Sequence, residues 1–173
     1  MATVEISIRP ARPRDFLPLA ALCRESYLTL GQGYFGSDVL EHAANTVNRS
    51  LPGAIAQGQL FVAGTSARLL GCAGWSTVSG QTKTGELRLV AVSPKYSGAG
   101  VASRLGGHCE QEARRNGTIH FDCVSTMMAE GLYAKLGYSH VRFGELRVGP
   151  HPFPIVYMTK RLDGAEPAPG SWR

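Results

Sequence analysis

The stretch that decides the fold is residues 86–102, which read Glu86-Leu87-Arg88-Leu89-Val90-Ala91-Val92-Ser93-Pro94-Lys95-Tyr96-Ser97-Gly98-Ala99-Gly100-Val101-Ala102. Residues Glu86 to Val92 have the pattern of a strand, and the Ser-Pro pair that follows forces a turn. Gly98-Ala99-Gly100 then precedes a helical pattern with Val101, Leu105 and Cys109 on one face. The stretch therefore predicts a strand, a glycine-rich turn and a helix in immediate succession.

Such a turn is suited to binding an anion. Glycines let successive backbone N–H groups approach a ligand closely, and a helix N-terminus adds about half a positive charge. We expect a pyrophosphate to bind here, with Lys95 and Arg104 placed to assist. A P-loop is excluded because the turn continues Gly100-Val101-Ala102, without the Gly-Lys-Ser/Thr run which that motif needs.

A dinucleotide fingerprint remains an alternative for the same turn. It would use Gly98, Gly100 and Ser103, with Asp122 as the acidic residue downstream. Against it, the first glycine of that fingerprint normally follows the strand directly, whereas five residues intervene here.

The rest of the chain alternates strand and helix patterns. Before residue 86 we predict a strand at Val4–Arg9, helices from Asp15 to Tyr27 and after Ser37-Asp38, and a hairpin of Gln59–Gly64 with Leu69–Ser76. After the turn we predict a helix ending at Asn116-Gly117, strand Ile119–Val124, helix Met127–Leu136, and strands His140–Val148 and Ile155–Arg161. The economical packing is a mixed sheet with helices on both faces.

Composition limits the classes of function. The chain has 173 residues, of which 43% are hydrophobic and 18% charged, as in one globular domain. The net charge of +5 is spread along the chain without interleaved aromatics, which argues against nucleic-acid binding. No apolar run could span a membrane, and the absence of a signal-peptide pattern predicts a cytoplasmic protein. Four scattered cysteines offer no metal-site spacing, so no metal is expected.

Two motifs resemble the GNAT superfamily of acetyl-coenzyme A-dependent N-acetyltransferases. The run from Val92 to Ala102 is similar to the family's acyl-coenzyme A signature, Arg/Gln-x-x-Gly-x-Gly/Ala, although Ser97 stands at the Arg/Gln position. Residues 129–138, Ala-Glu-Gly-Leu-Tyr-Ala-Lys-Leu-Gly-Tyr, are similar to the family's second block. The likeness extends from Ile6 to Leu162 and is weakest between Tyr27 and Gln59.

The resemblance implies a fold and a set of site residues. The fold would be α/β (α+β), a mixed, mostly antiparallel sheet with a splayed strand pair and helices on both faces. Tyr133 would be the catalytic acid and Glu86 the base, while Thr126 stands where many members carry a cofactor-binding Asn. Acetyl-coenzyme A would bind along the strand and the turn, at Val90, Ala91, Val92, Ser97, Gly98, Ala99, Gly100, Val101, Ala102 and Thr126.

The resemblance also implies a function. We expect direct transfer of an acetyl group from acetyl-coenzyme A to an amine, without a metal; the alternative is a non-catalytic acyl-coenzyme A sensor. The domain would cover residues 1–162, with a disordered tail over 163–173. Homodimers are common in the family, and the acceptor pocket is expected near the aromatic residues Tyr27, Tyr34, Phe35 and Trp75.

Overall fold

The structure, a computed structural model, describes residues 5–165. The strands are β1 (Ser7–Pro10), β2 (Leu60–Gly64), β3 (Leu69–Val78), β4 (Gln81–Val92), β5 (His120–Thr126), β6 (Ser139–Val148) and β7 (His151–Arg161). The helices are α1 (Phe16–Leu30), α2 (Ser37–Ala56), α3 (Val101–Arg115) and α4 (Glu130–Lys135). Short 3-10 turns at Pro13–Asp15 and Pro94–Tyr96 lead into α1 and α3.

All seven strands join one sheet in the order β1-β2-β3-β4-β5-β7-β6. Every neighbouring pair is antiparallel except β4 and β5, which run parallel. That parallel pairing is short, because it joins Thr84–Leu87 to His120–Cys123 and then stops while both strands continue. We call the space between the two unpaired strand ends the splay.

The sheet carries helices on both faces, as alternation along the strands requires. On β2, Phe61 and Ala63 join the large core under α3 and α4. The intervening Leu60 and Val62 pack with residues of α1 and α2 on the opposite face. The expected fold class, a mixed and mostly antiparallel sheet with a splayed pair and helices on both faces, is therefore confirmed.

Most element boundaries agree with the sequence prediction, and the exceptions have physical causes. Strand β4 begins at Gln81 rather than Glu86, because its polar first half forms a hairpin with β3 that extends into solvent. Strand β7 begins at His151, not Ile155, despite Pro152 and Pro154. Both prolines lie beyond the end of β5, where β7 pairs with β6 alone. Because the other edge of β7 has no strand partner there, a missing N–H on that edge costs no hydrogen bond between strands. Helix α4 is shorter than predicted and spans Glu130–Lys135.

The predicted domain limits stay a prediction. Residues 1–4 and 166–173 lie outside the described part of the chain, and with them Val4 of the predicted strand Val4–Arg9 and most of the tail over 163–173. Strand β1 itself begins at Ser7 and includes Pro10. The first residue of that tail, Asp163, accepts hydrogen bonds from the Arg161 side chain at the end of β7.

Candidate active site

A bulge in β4 opens the splay. Cys72 on β3 lies opposite Ala91 and Gly74 lies opposite Arg88, so Leu89 and Val90 together face one residue. Leu89 has a φ of 55°, and it is the one non-glycine residue with positive φ between residues 5 and 165. A bulge bends its strand, and pairing with β5 ends at Leu87, just before it. The β5-facing edge of β4 through Val92 is therefore left without a strand partner.

The turn between β4 and α3, residues Ser97–Gly100, lies at the end of the splay, and we call it the glycine turn. Gly98 and Gly100 both have a φ of 79°, and no atom lies within 4 Å of where a side chain at either would begin. Gly100 is the N-cap of α3, and its carbonyl accepts the Arg104 N–H at 3.1 Å. The backbone N–H groups of Gly98, Gly100 and 101–103 have no acceptor within the described chain. The turn thus presents five free donors toward solvent at the positive end of a helix.

The side chains beside this turn contribute less than was expected. Ser97 and Lys95 are exposed. Arg104 lines a shallow groove formed by α3 with Ile6 and Ile8, on the β1 side of the helix. The feature of the turn that suits an anion is therefore its set of free backbone N–H groups.

Thr126, at the end of β5, has a buried hydroxyl without a hydrogen-bond partner within residues 5–165. Its carbonyl accepts a hydrogen bond from the Ser125 hydroxyl at 2.8 Å. A buried hydroxyl without a partner costs about 1–3 kcal/mol, so a polar ligand group in the splay would relieve that cost. Together with the open turn and the unpaired β4 edge, this orphan hydroxyl fits an extended ligand such as coenzyme A.

Tyr133 projects from α4 into the core beneath α3. Its side chain is 6% exposed, and its ring meets that of Tyr138 edge-on at 5.8 Å. Burial raises the pKa of Tyr133 well above its usual value, and nearby Cys123 and Tyr27 act in the same direction. Its hydroxyl has no hydrogen-bond partner in the described chain. Tyr133 is therefore a protonated, unengaged donor.

Glu86 lies on the opposite face of the sheet. Its neighbour Leu87 belongs to the core under α3 and α4, so Glu86 points to the side of α1 and α2. The parallel register sets Glu86 across from Asp122, whose carboxylate accepts a hydrogen bond from the Thr159 hydroxyl at 2.6 Å. Burial raises the pKa of Glu86, Arg88 lowers it and Asp122 raises it, with a net upward shift. Burial likewise raises the pKa of Asp122. Glu86 and Tyr133 thus approach the two strands from opposite faces.

The four aromatic residues expected near the acceptor do not all come together. Tyr27 and Phe35 share a cluster at the start of α2, where Phe35 stacks on Phe153 at 4.7 Å. Burial raises the pKa of Tyr27 to about 12. Tyr34 is 60% exposed on the α1–α2 loop, and Trp75 belongs to the large core.

Sequence reasoning missed two features of the site. One is the apposition of Glu86 and Asp122, which depends on the strand register. The other is a cleft of about 220 Å³ between α2 and strands β3 and β4, which contains Arg49 and Arg88. Neither leaves a local signal, because the residues involved are far apart in the chain.

Within 5–165 no group of three or more His, Cys, Asp or Glu residues is arranged to hold a metal. In that same range no helix has the length and apolar character needed to cross a membrane. The four cysteines are buried and unpaired by disulfides.

Comparison with known proteins identifies the family. Residues 56–140 match the family model described as an acetyltransferase (GNAT) domain. The chain carries a GNAT acetyltransferase domain. Its matched region runs from the end of α2 to the start of β6 and so includes the splay, the glycine turn and Tyr133.

Solved structures with the GNAT fold are similar over nearly the whole chain. A GCN5-related N-acetyltransferase from Rhodopseudomonas palustris is 21% identical with a TM-score of 0.78, covering 93% of this chain and 98% of that one. PaiA N-acetyltransferase from Thermoplasma acidophilum, in complex with coenzyme A, is 16% identical with a TM-score of 0.73, covering 91% and 99%. An N-acetyltransferase from Staphylococcus aureus Mu50 is 17% identical with a TM-score of 0.64, covering 91% and 99%. No curated protein sequence gives a significant match.

The GNAT fold uses acetyl-coenzyme A, so the family supports acyl transfer from that donor. The strand directions in the sheet, in contrast, argue against the dinucleotide-binding alternative. A dinucleotide-binding fold is built on a mostly parallel sheet, whereas here only β4 and β5 are parallel. Asp122, its candidate ribose ligand, is buried against Thr159 and Glu86.

Proposed function

We propose that the protein transfers an acetyl group from acetyl-coenzyme A to an amine by direct nucleophilic attack. The observation that carries this proposal is the glycine turn, with free N–H donors at the N-terminus of α3 and an unpaired strand edge leading away from it. A pyrophosphate suits the first feature, and an extended amide-containing arm suits the second. Coenzyme A contains both in that order.

Specific residues are assigned to binding. The N–H groups of Gly98, Gly100 and 101–103 would hold the pyrophosphate, with Ser97 and Ala99 forming the rest of the turn. Backbone groups of 90–92 would pair with the pantetheine arm as an added strand. Thr126 would use its orphan hydroxyl for the same ligand.

The proposed reaction needs no covalent enzyme intermediate. The unprotonated amine attacks the thioester carbonyl carbon, a C–N bond forms, and the C–S bond breaks as the thiolate leaves. The amine loses a proton to a base, and the thiolate gains one from an acid. Since binding and orientation of both substrates supply much of the rate, acid and base each contribute a further factor of about 10²–10⁴.

Glu86 is proposed as the base and Tyr133 as the acid. Support for Glu86 comes from its half-buried position beside Asp122 and its raised pKa, which makes it a better proton acceptor than an exposed carboxylate. Support for Tyr133 comes from a hydroxyl that is protonated at neutral pH and without another partner in the described chain. Their positions on opposite faces of the sheet suit an amine and a thioester that meet in the splay.

The binding half of this proposal is tested at Ala99, which is exposed in the middle of the glycine turn. Ala99→Glu introduces a negative charge without altering either glycine, and Ala99→Gln is the uncharged control of equal size. By Coulomb's law a like charge about 6 Å from a pyrophosphate costs roughly 1 kcal/mol or more at low salt. We expect at least about tenfold weaker acetyl-coenzyme A binding for the Glu variant than for the Gln variant, measured by calorimetry with NAD as a control ligand.

Equal affinities for the two Ala99 variants would contradict pyrophosphate binding at this turn. Turnover is a separate question, answered by release of coenzyme A thiol in the presence of amines. Acetyl-coenzyme A binding without amine-dependent thiol release would favour the non-catalytic sensor over the enzyme.

A further inference from the structure

The cleft missed by sequence reasoning is a polar site without an assigned ligand. It lies between the C-terminal half of α2 and strands β3 and β4, and has a volume of about 220 Å³. Five of the residues that line it have polar side chains, Arg49, Ser50, Gln57, Gln59 and Arg88, whereas the Trp75 ring belongs to the large core on the other face of the sheet. We call it the arginine cleft.

Two arginines line the cleft, both of them exposed, and no acidic residue lines it with them. Arg49 comes from α2 and contacts the Thr46 hydroxyl at 3.3 Å. Arg88 comes from β4 and has no hydrogen bond or ion pair within residues 5–165. In contrast, Arg9 and Arg24 hold the carboxylates of Asp15 and Glu41.

No lining residue of the cleft is acidic. Two like charges from different elements repel each other, so they are stabilised when an anion lies between them. Guanidinium groups suit a carboxylate in particular, because their N–H donors match its two oxygens. The neutral donors of Ser50, Gln57 and Gln59 can add hydrogen bonds to the same anion.

The arginine cleft reaches the bulge at which the splay begins. It is lined by Leu89, the bulge residue at which β4 leaves β5. Arg88 follows Glu86 by two residues, so both side chains point to the same face of the sheet. The cleft therefore places positive charge on one side of Glu86, while the carboxylates of Glu86 and Asp122 offer negative charge to an ammonium group.

We propose that the arginine cleft is the acceptor site and that the acceptor is an amine bearing a carboxylate, which Arg49 and Arg88 bind. The amine then lies toward Glu86 and the splay. This inference rests on the proposed acetyl transfer to an amine. It narrows the acceptor to amino acids, whether their amine is on the α-carbon or elsewhere, and excludes amines that lack a carboxylate.

Matched pairs of acceptors test the charge requirement. Thiol release is measured with L-amino acids and with the primary carboxamides of the same amino acids, at one pH and with saturating acetyl-coenzyme A. The amides have less basic amines, so a larger fraction is unprotonated, and chemistry alone would favour them. We expect the free acids to be preferred in kcat/KM by at least about tenfold, as for a charge-assisted hydrogen bond.

Variants connect this preference to the cleft. Arg49→Gln and Arg88→Gln should each raise KM for the free acid about ten- to hundredfold, with much smaller changes for the amide. Arg115→Gln, which removes an exposed arginine at the far end of α3, is the matched control and should leave both unchanged. Equal rates for acids and amides, or variants that impair both acceptors alike, would overturn the inference.

A binding measurement separates this inference from the proposed function. Calorimetry of N-acetyl amino acids and their amides against the protein with coenzyme A reports occupation of the cleft without turnover. Binding of the acids alone, lost in Arg88→Gln, with no turnover of any amine would refute the acetyl transfer and retain the carboxylate site. Turnover of amides with no preference for acids would support acetyl transfer to an amine and refute the carboxylate site.

Discussion

Removal of the Tyr133 hydroxyl tests the acid most directly. Tyr133→Phe keeps the ring, which packs edge-on against Tyr138 at 5.8 Å in the large core. The hydroxyl has no hydrogen-bond partner in the described chain, and it is not among the fully buried polar atoms that lack one there. Since the change breaks no hydrogen bond in the described chain, the free energy of unfolding of the variant should lie within about 1 kcal/mol of the wild-type value.

Catalysis should respond differently from stability. Loss of a general acid lowers kcat by about 10²–10⁴, equivalent to about 3–5 kcal/mol of barrier. Thiol release would report kcat, calorimetry the unchanged affinity for acetyl-coenzyme A, and urea unfolding the stability. Because burial raises the pKa of Tyr133, the wild-type acid stays protonated to alkaline pH, so Tyr133 should cause no loss of activity between pH 7 and about 9.

Tyr138→Phe is the control for the same chemical change. The Tyr138 hydroxyl donates to the Glu110 carboxylate at 3.5 Å, so its removal should cost stability by up to about 1 kcal/mol and leave kcat unchanged. A Tyr133→Phe variant with kcat within a few-fold of wild type would refute Tyr133 as the acid. A loss of coenzyme A affinity with kcat preserved would assign it to binding instead.

Two further predictions concern carboxylates with shifted pKa values. Glu86 must be ionised to act as a base, and its pKa is raised, so wild-type kcat/KM should fall as pH decreases through a value above 4.5. Glu86→Gln should abolish that acidic limb in a pH profile and lower kcat about a hundredfold; an unchanged limb would exclude Glu86. Asp15 has a lowered pKa because it accepts hydrogen bonds from Arg9 at 2.7 and 3.0 Å, so its stabilisation is present above its unfolded pKa and lost as pH falls through the folded one. Asp15→Asn should cost about 1.5–3 kcal/mol in urea unfolding at pH 7, and the cost should shrink as pH falls below the unfolded pKa of Asp15 toward its lower folded one; a pH-independent cost would contradict this ion pair as the cause.

The fold could be predicted from local patterns because each strand and helix carries its own signal. The glycine turn with its preceding strand and following helix was visible in residues 86–102 alone. The bulge at Leu89 was not, since a leucine at positive φ has no sequence signature and is imposed by the register between β3 and β4. The strand pair opens at this bulge, so the exact position of the splay required the structure.

For the candidate site too, residues within one local motif could be predicted and residues brought together by packing could not. Residues within one motif, such as Gly98, Gly100 and Tyr133, could be nominated from spacing and resemblance. Asp122 and the two arginines of the cleft could not, because Asp122 comes to lie across from Glu86, and the arginines come to line one cleft, only after separate elements have packed. The proposed acceptor site depends on such long-range contacts, which is why the sequence predicted the donor and left the acceptor open.

Ser97 and Thr126 differ from the residues that the GNAT family usually has at these positions, and both differences are compatible with a functional site for the acetyl donor. Side chains at those two positions would add hydrogen bonds, but the groups proposed to bind most of the anion are the free backbone N–H donors at Gly98, Gly100 and 101–103. Those donors depend on φ values near 79° and on the start of α3, not on the identity of residue 97. Replacing a long Arg or Gln by Ser therefore removes a contact at the rim while the free N–H groups of the turn are retained. By the same reasoning, restoring the family pattern with Ser97→Arg should tighten acetyl-coenzyme A binding only modestly, whereas a charge at residue 99, among the N–H groups, should weaken it strongly.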